Sequence, residues 1–450
     1  MAKDVSAISS QSANGLNPHG STFNGNRSVR KETTFREWLV DNQIGITLTI
    51  FATIMAVHNL YPSLRAYTTP FFQMSYYQPS TGRYRQGWDD VYLVISSIIG
   101  FTAVRAIAID WIFRPMAKRT GLKKKAALRF AEQAWLVVYY GVFWTLGMYL
   151  WSHSNYWLNF KAIWMAWPSR EMTPPMKLYL LMQLSFWFQQ ILVINIEERR
   201  KDHYQMLTHH VITCTLLSSA YVYTFFKVSN VVLCIMDVVD LLLPAAKILK
   251  YFGYETGCNI AFGVFLLTWF VARHIVYVAL CWSVYKDLPE QVVYGCYSGA
   301  TGEMLTIDGY PDRWRYVFYP FQDVNGPICF NGALKWIFLS FLLSIQALSI
   351  IWFGMITRVA ISVIRTGNAE DTRSDDEEEE AQEDEEEIDG RVAGKETSRG
   401  SPGLADSSGS EHSWRRSNGS VRARGRGRVR LGDQSDRKAL LGRIGCDKPT

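Results

Sequence analysis

Uninterrupted apolar runs recur through the middle of this chain, each long enough to cross a bilayer as a single helix, a task that takes about 20 residues. They lie at residues 44–64, 91–113, 131–151, 178–196, 203–226, 231–252, 260–284 and 334–356, the fifth being less apolar than its neighbours. The pattern predicts an all-α polytopic membrane protein with about eight transmembrane helices. The mean hydropathy of -0.03 would suit a soluble protein, but only because two polar ends dilute the apolar middle. Residues 1–37 are rich in Ser, Asn and Gly and read as a disordered tail without a secretory signal. Residues 365–450 read as a second disordered tail, acidic first and then Arg/Gly-rich.

The net charge of +6 is a cancellation between those acidic and basic tracts. Where the cations sit is more informative. They gather in the 114–129 loop, in Arg199, Arg200 and Lys201, in Lys247 and Lys250, and in Arg358 and Arg365. With the N-terminus in the cytosol all of these fall on the cytosolic side, as the positive-inside rule requires. Both termini are therefore expected there. The 286–332 loop is then lumenal, where Cys296 and Cys329 either form a disulfide or remain free thiols. A bridge would close a loop of about thirty residues and add a few kcal/mol of stability. The seven cysteines contain no CxxC pair and no zinc spacing. Ser374, which opens the acidic run, is a phosphorylation candidate. The run is otherwise a solvated segment that offsets the neighbouring Arg tract, and no nucleic-acid partner is expected.

Ionisable side chains inside apolar spans are expensive and mark functional positions. The fifth and sixth runs hold the densest set: His209 and His210 on one, Asp237 and Asp240 on the other, with Lys247 two turns beyond. On a helix Asp202, Met206, His209 and Thr213 share a stripe, and Asp237 and Asp240 share a face. The short connection makes the two helices antiparallel neighbours, and an aspartate beside a histidine would fix the imidazole tautomer and stabilise its cation. A metal site built from two His and two Asp is one alternative. A proton relay in a transporter is another, although no inverted repeat is visible.

The segment from Arg199 to Tyr251, with its basic-Asp start, Met206, His209-His210, Thr213, Asp237, Asp240 and Lys247, resembles the signature of ceramide synthases within the wider TLC-domain group. RFAEQAW at residues 129–135 resembles the opening of that domain, and the acidic run resembles that of fungal members. Met236 and Pro244 depart from the family pattern of His and Glu. The resemblance implies two N-terminal transmembrane helices and a basic loop over 38–121. A TLC-type catalytic bundle with an internal lipid cavity would follow over 122–364.

It also implies transfer of a fatty acyl group from acyl-CoA to the amine of a sphingoid base in the endoplasmic reticulum membrane, with acyl-CoA as substrate and no cofactor. His209 or His210 would serve as general base or carry the acyl group covalently. Asp237 or Asp240 would orient the imidazole or hold the substrate ammonium. Arg199, Arg200, Lys201, Asp202, Thr213 and Lys247 would contact substrate, the cations being candidates for the CoA phosphates. A non-catalytic lipid-binding or transport protein of the same group is the other reading. The resemblance leaves an accessory subunit or a second copy open as a partner.

Overall fold

The computed structural model describes residues 35–196, 202–299, 301–306, 315–323 and 326–366. Arg199, Arg200, Lys201 and Ser374 lie outside these residues. Eight long helices occur among those described. They are α1 (Phe35–Leu60), α2 (Asp90–Arg119), α3 (Lys124–Ser152), α4 (Pro174–Ile196), α5 (His203–Val222), α6 (Phe226–Tyr251), α7 (Glu255–Gln291) and α8 (Gly332–Thr366). Each coincides with one of the apolar runs. Six are long and apolar enough to cross a membrane, and α5 and α6, which carry the histidines and aspartates, fall below that measure. Both are nevertheless full-length helices: the 20 residues of α5 rise about 30 Å. Helix α6 continues through Pro244. One stretch of α2 (Ala108–Phe113) and one of α7 (Phe270–Val276) are wound as π-helix.

The connections at one end of the bundle are bound together. Tyr84 and Met172 exchange backbone hydrogen bonds of 2.9 and 2.8 Å. Gln86 Nε2 donates to the Val222 carbonyl at 3.1 Å, Arg170 Nη2 to that of Gly326 at 3.0 Å, and the Tyr223 hydroxyl to that of Val317 at 2.6 Å. The Trp167 ring stacks on Phe225 and meets Tyr297 edge-on. Helices α1, α3, α5 and α7 therefore finish at this capped end, where α2, α4, α6 and α8 begin. The cap includes short strands that the apolar pattern does not announce. β1 (Tyr77–Gln78) pairs antiparallel with β2 (Arg83–Tyr84). β3 (Gly295–Tyr297) runs antiparallel between β4 (Met304–Thr306) and β5 (Ile328–Phe330). Cys296 faces Cys329 across β3 and β5, and the two are joined as a disulfide. At the opposite, basic end the cations of 114–129 lie not in a loop, as expected, but mainly in the last turns of α2 and the first turns of α3, joined by residues 120–123 alone.

Six helices close a ring in the order α3–α6–α7–α8–α5–α4, with α2 packed outside against α4 and α3, and α1 outside α2. Gly147 on α3 makes part of this closure possible. A Cβ there would fall 2.6 Å from the Tyr179 hydroxyl and 2.9 Å from Cys234 Sγ, so only glycine lets α3 sit this close to α4 and α6.

One buried ion pair fastens the cap to the ring. Lys177, at the start of α4, places Nζ 2.7 Å from Asp90 Oδ1, with the lysine side chain wholly buried. Nζ also donates to the carbonyls of Ser75 and Arg85 at 2.8 and 2.7 Å. Asp90 Oδ2 accepts from the Tyr221 hydroxyl at 2.8 Å and the Gly87 amide at 3.0 Å. Removing one partner of such a pair leaves an uncompensated buried charge. Lys177→Met is expected to lose about 3–5 kcal/mol of stability, and Lys177→Met combined with Asp90→Leu to lose less. Thermal unfolding of the detergent-solubilised protein checks both.

Candidate functional site

His209 and His210 lie about two turns into α5 from the basic end, on the helix that packs between α4 and α8. Trp187 of α4 meets both imidazoles, with centroids 5.6 Å from His209 and 5.2 Å from His210, and Trp352 of α8 lies 5.3 Å from His209. His210 Nδ1 is 2.6 Å from the Met206 carbonyl one turn earlier. A carbonyl only accepts, so this contact puts the proton on Nδ1 and leaves Nε2 with its lone pair. The orientation of His210 is thus set by its own helix. His209 Nδ1 is buried and has no partner.

The aspartates are held differently from the expectation that they would orient a histidine. Asp237 is completely buried, and its Oδ2 accepts from Gln183 Nε2 of α4 at 2.6 Å. Gln183 Oε1 in turn accepts from the Tyr139 hydroxyl of α3 at 2.9 Å. Asp240 Oδ1 is paired at 2.9 Å with Arg273 Nη2, from the π-helical stretch of α7. Arg273 also donates to the Met236 carbonyl at 3.3 Å and lies 4.0 Å over the Trp269 ring. No aspartate–histidine hydrogen bond forms. The reason is the ring order: α6 packs on α3 and α7 while α5 packs on α4 and α8, so the two helices joined by a short turn face one another across the interior. Among the described residues no group of three His, Cys, Asp or Glu side chains gathers as a metal site.

Of the remaining candidates, Thr213 is buried one turn from His209, and its hydroxyl has no partner. Asp202 immediately precedes α5, and Lys247 lies toward the basic end of α6, half-buried. Sequence reasoning missed Arg273, Gln183, Tyr139, Trp187 and Trp352. Arg273 carried a usable signal, since it is a charge inside the apolar run 260–284.

These groups form a polar layer around mid-depth of the ring, with the histidines toward the basic end. Between α5, α6, α7 and α8 the wall nearer the cap is mainly apolar. There Leu216, Leu217 and Ala220 of α5, Val228, Ser229 and Val232 of α6, and Leu342 of α8 line a narrow cavity of about 40 Å³. Trp164 and Phe225 stand at its capped end. An apolar hollow further along the same helices as a polar layer suits an amphipathic ligand, with a reacting head at the histidines and the start of a hydrocarbon tail beneath.

Fold and site together define a multi-pass helical membrane protein with a histidine-bearing interior. Residues 129–358 match the family described as the TLC domain, and the chain belongs to that family. It is 42% identical over 348 residues to a sphingosine N-acyltransferase-like protein of Alternaria alternata, covering 77% of this chain and 78% of that protein. A ceramide synthase of Gibberella moniliformis is 37% identical, with 74% of this chain and 78% of that protein covered. A sphingosine N-acyltransferase of Schizosaccharomyces pombe is 36% identical, with coverage of 78% and 83%.

The Arg273–Asp240 pair joins α7 to α6 inside the site. Arg273→Met, which strands the Asp240 carboxylate, is expected to destabilise by about 3–5 kcal/mol. Asp240→Asn keeps an oxygen for Arg273 to bond and should lose less. Thermal unfolding in detergent ranks the two.

Proposed function

We propose that this protein is a ceramide synthase, transferring a fatty acyl group from acyl-CoA to the amine of a sphingoid base. The observation that carries the reading is His210, its tautomer set by the Met206 carbonyl and about two turns along α5 from the cavity-lining Leu217, in a chain whose relatives bear sphingosine N-acyltransferase names. Those names favour an enzyme over a non-catalytic lipid-binding or transport protein.

The chemistry follows from the placement. A sphingoid ammonium loses one proton to solvent, and the neutral amine attacks the thioester carbonyl. The second N–H proton passes to an imidazole, for which His210 Nε2 offers the lone pair. The C–N bond forms, the C–S bond breaks, and the proton returns to the departing thiolate. In the covalent variant one imidazole carries the acyl group between two such displacements. Asp237, with Oδ2 anchored by Gln183 and Oδ1 unpaired, provides an acceptor for the substrate ammonium. The acyl chain fills the cavity lined by Leu216, Leu217, Ala220 and Leu342. No cofactor is required, because the thioester itself supplies the driving force.

All eight helices cross the membrane in this reading, α5 and α6 as members of the ring that packs around the polar layer. The basic end faces the cytosol, where acyl-CoA is found, and Arg199, Arg200, Lys201 and Lys247 attract its phosphates. The cap with its disulfide then faces the oxidising lumen of the endoplasmic reticulum.

Two experiments test the reading. His209→Ala and His210→Ala, assayed in membranes by mass spectrometry, are expected to reach normal levels and yet lose acyl-CoA-dependent ceramide formation by at least about 100-fold; activity retained in both variants refutes the assignment. Ala220→Phe narrows the cavity and is expected to depress turnover of long acyl-CoAs more than short ones. An equal effect across a chain-length series would remove the cavity as the acyl site.

A further inference from the structure

Hydroxyls inside a membrane-embedded helix ordinarily turn back onto their own backbone. Ser185, Thr215, Ser344 and Thr357 do so here, each donating to the carbonyl four residues earlier at 2.6–2.8 Å. Two others do not. Thr213 on α5 and Ser349 on α8 are 8% and 1% exposed, and neither hydroxyl has a partner. Leaving a buried hydroxyl unbonded is unfavourable, because the hydration it loses is not replaced. A pair of them invites a reason.

Both lie at the same depth of the ring. Thr213 follows His209 by four residues and precedes the cavity-lining Leu216, Leu217 and Ala220 by three, four and seven, so all share one stripe of α5. Ser349 stands seven residues beyond the cavity-lining Leu342 and three before Trp352, whose ring meets His209. It lies on the stripe that turns Phe338, Leu342, Ile345, Trp352 and Ile356 into the core. Helices α5 and α8 pack directly together. The two hydroxyls therefore mark a level between the histidines above and the apolar cavity below, about one helical turn from the reacting group.

We propose that Thr213 and Ser349 form a hydroxyl-recognition subsite, which hydrogen-bonds an alcohol carried by a substrate within a few carbons of the reacting centre. A hydroxyl is the matching chemistry because each side chain both donates and accepts and neither is charged. The alcohol belongs either to the long-chain base, beside its amine, or to a 2-hydroxyacyl chain, beside its carbonyl. A site built this way discriminates strongly against a substrate lacking the group, because its own polar atoms are then left unpaired. The inference rests on the acyl-transfer reading and adds the feature of the substrate that the site selects.

The test uses the full-length protein in membranes, with Ser349→Ala and Thr213→Val as near-isosteric variants. Bases with and without hydroxyls next to the amine are each paired with plain and 2-hydroxylated acyl-CoAs. Each variant is expected to lower kcat/KM about 10-fold for the hydroxylated partner, chiefly through KM, and to leave the partner lacking that hydroxyl within about twofold. Loss confined to hydroxylated bases identifies the base as the source, and loss confined to 2-hydroxyacyl-CoA identifies the acyl chain. An equal fall for every substrate, or no change for any, overturns the proposal. Binding of a radiolabelled hydroxylated long-chain amine and its deoxy analogue to purified protein keeps the two readings separable. Wild-type protein that prefers the hydroxylated amine while forming no amide would refute the acyltransferase assignment and support the subsite, provided Ser349→Ala abolishes that preference. Equal binding of both amines, together with no amide, would overturn both.

Discussion

A charge or strong dipole inside an apolar bundle has to be matched where it stands, and in this protein the matches are made between helices. Lys177 and Asp90 tie α4 to α2, and the Tyr221 hydroxyl brings in α5. Asp237, Gln183 and Tyr139 link α6, α4 and α3. Asp240 and Arg273 link α6 to α7. Apolar packing alone tolerates sliding and rotation of one helix on another, whereas each of these contacts fixes both depth and azimuth. These polar rivets, set within a close-packed apolar core, define where the helices stand.

The same constraint divides the interior by depth. Between α5, α6 and α8 the histidines lie toward the basic end, a cavity without charged side chains lies toward the cap, and two unsatisfied hydroxyls stand at a level between them. Such a gradient orients an amphipathic substrate before any specific contact is made. A hydrocarbon tail loses nothing by entering the apolar half, and a charged head would have to shed its hydration to follow. The histidines sit where the two preferences cross.

The helices were legible in the sequence because length and apolarity are local properties, and every run of about 20 residues corresponds to a long helix. Their arrangement was not. A three-residue turn between α5 and α6 suggests neighbours, but the bundle closes by packing α6 mainly on α3 and α7, and α5 mainly on α4 and α8. Packing partners are chosen by surface fit around the whole ring, which no single segment encodes. Lys177 illustrates a second limit. At the border of an apolar run it reads as a flanking cation that would snorkel to the headgroups, yet the cap folds over it and makes it wholly buried. Gln183 became visible as a site residue only through its bond from α4 across to Asp237 of α6, two helices that are not neighbours in the ring order.

Placing the aspartates across the ring changes what they are able to do. A carboxylate that bonded an imidazole would strengthen the base but spend its acceptor there. Here the orientation of His210 comes from the Met206 carbonyl on its own helix, and the packing around both rings comes from Trp187 and Trp352. Asp240 is committed to Arg273, which leaves that pair nearly neutral. Asp237 is committed through one oxygen only, and its other oxygen remains buried and unpaired. In the proposed reaction, a carboxyl group with a spare acceptor on α6 and an imidazole of set tautomer on α5 would divide the work of acyl transfer between two helices. One would hold the amine as a cation, and the other would remove its proton as the nucleophile forms.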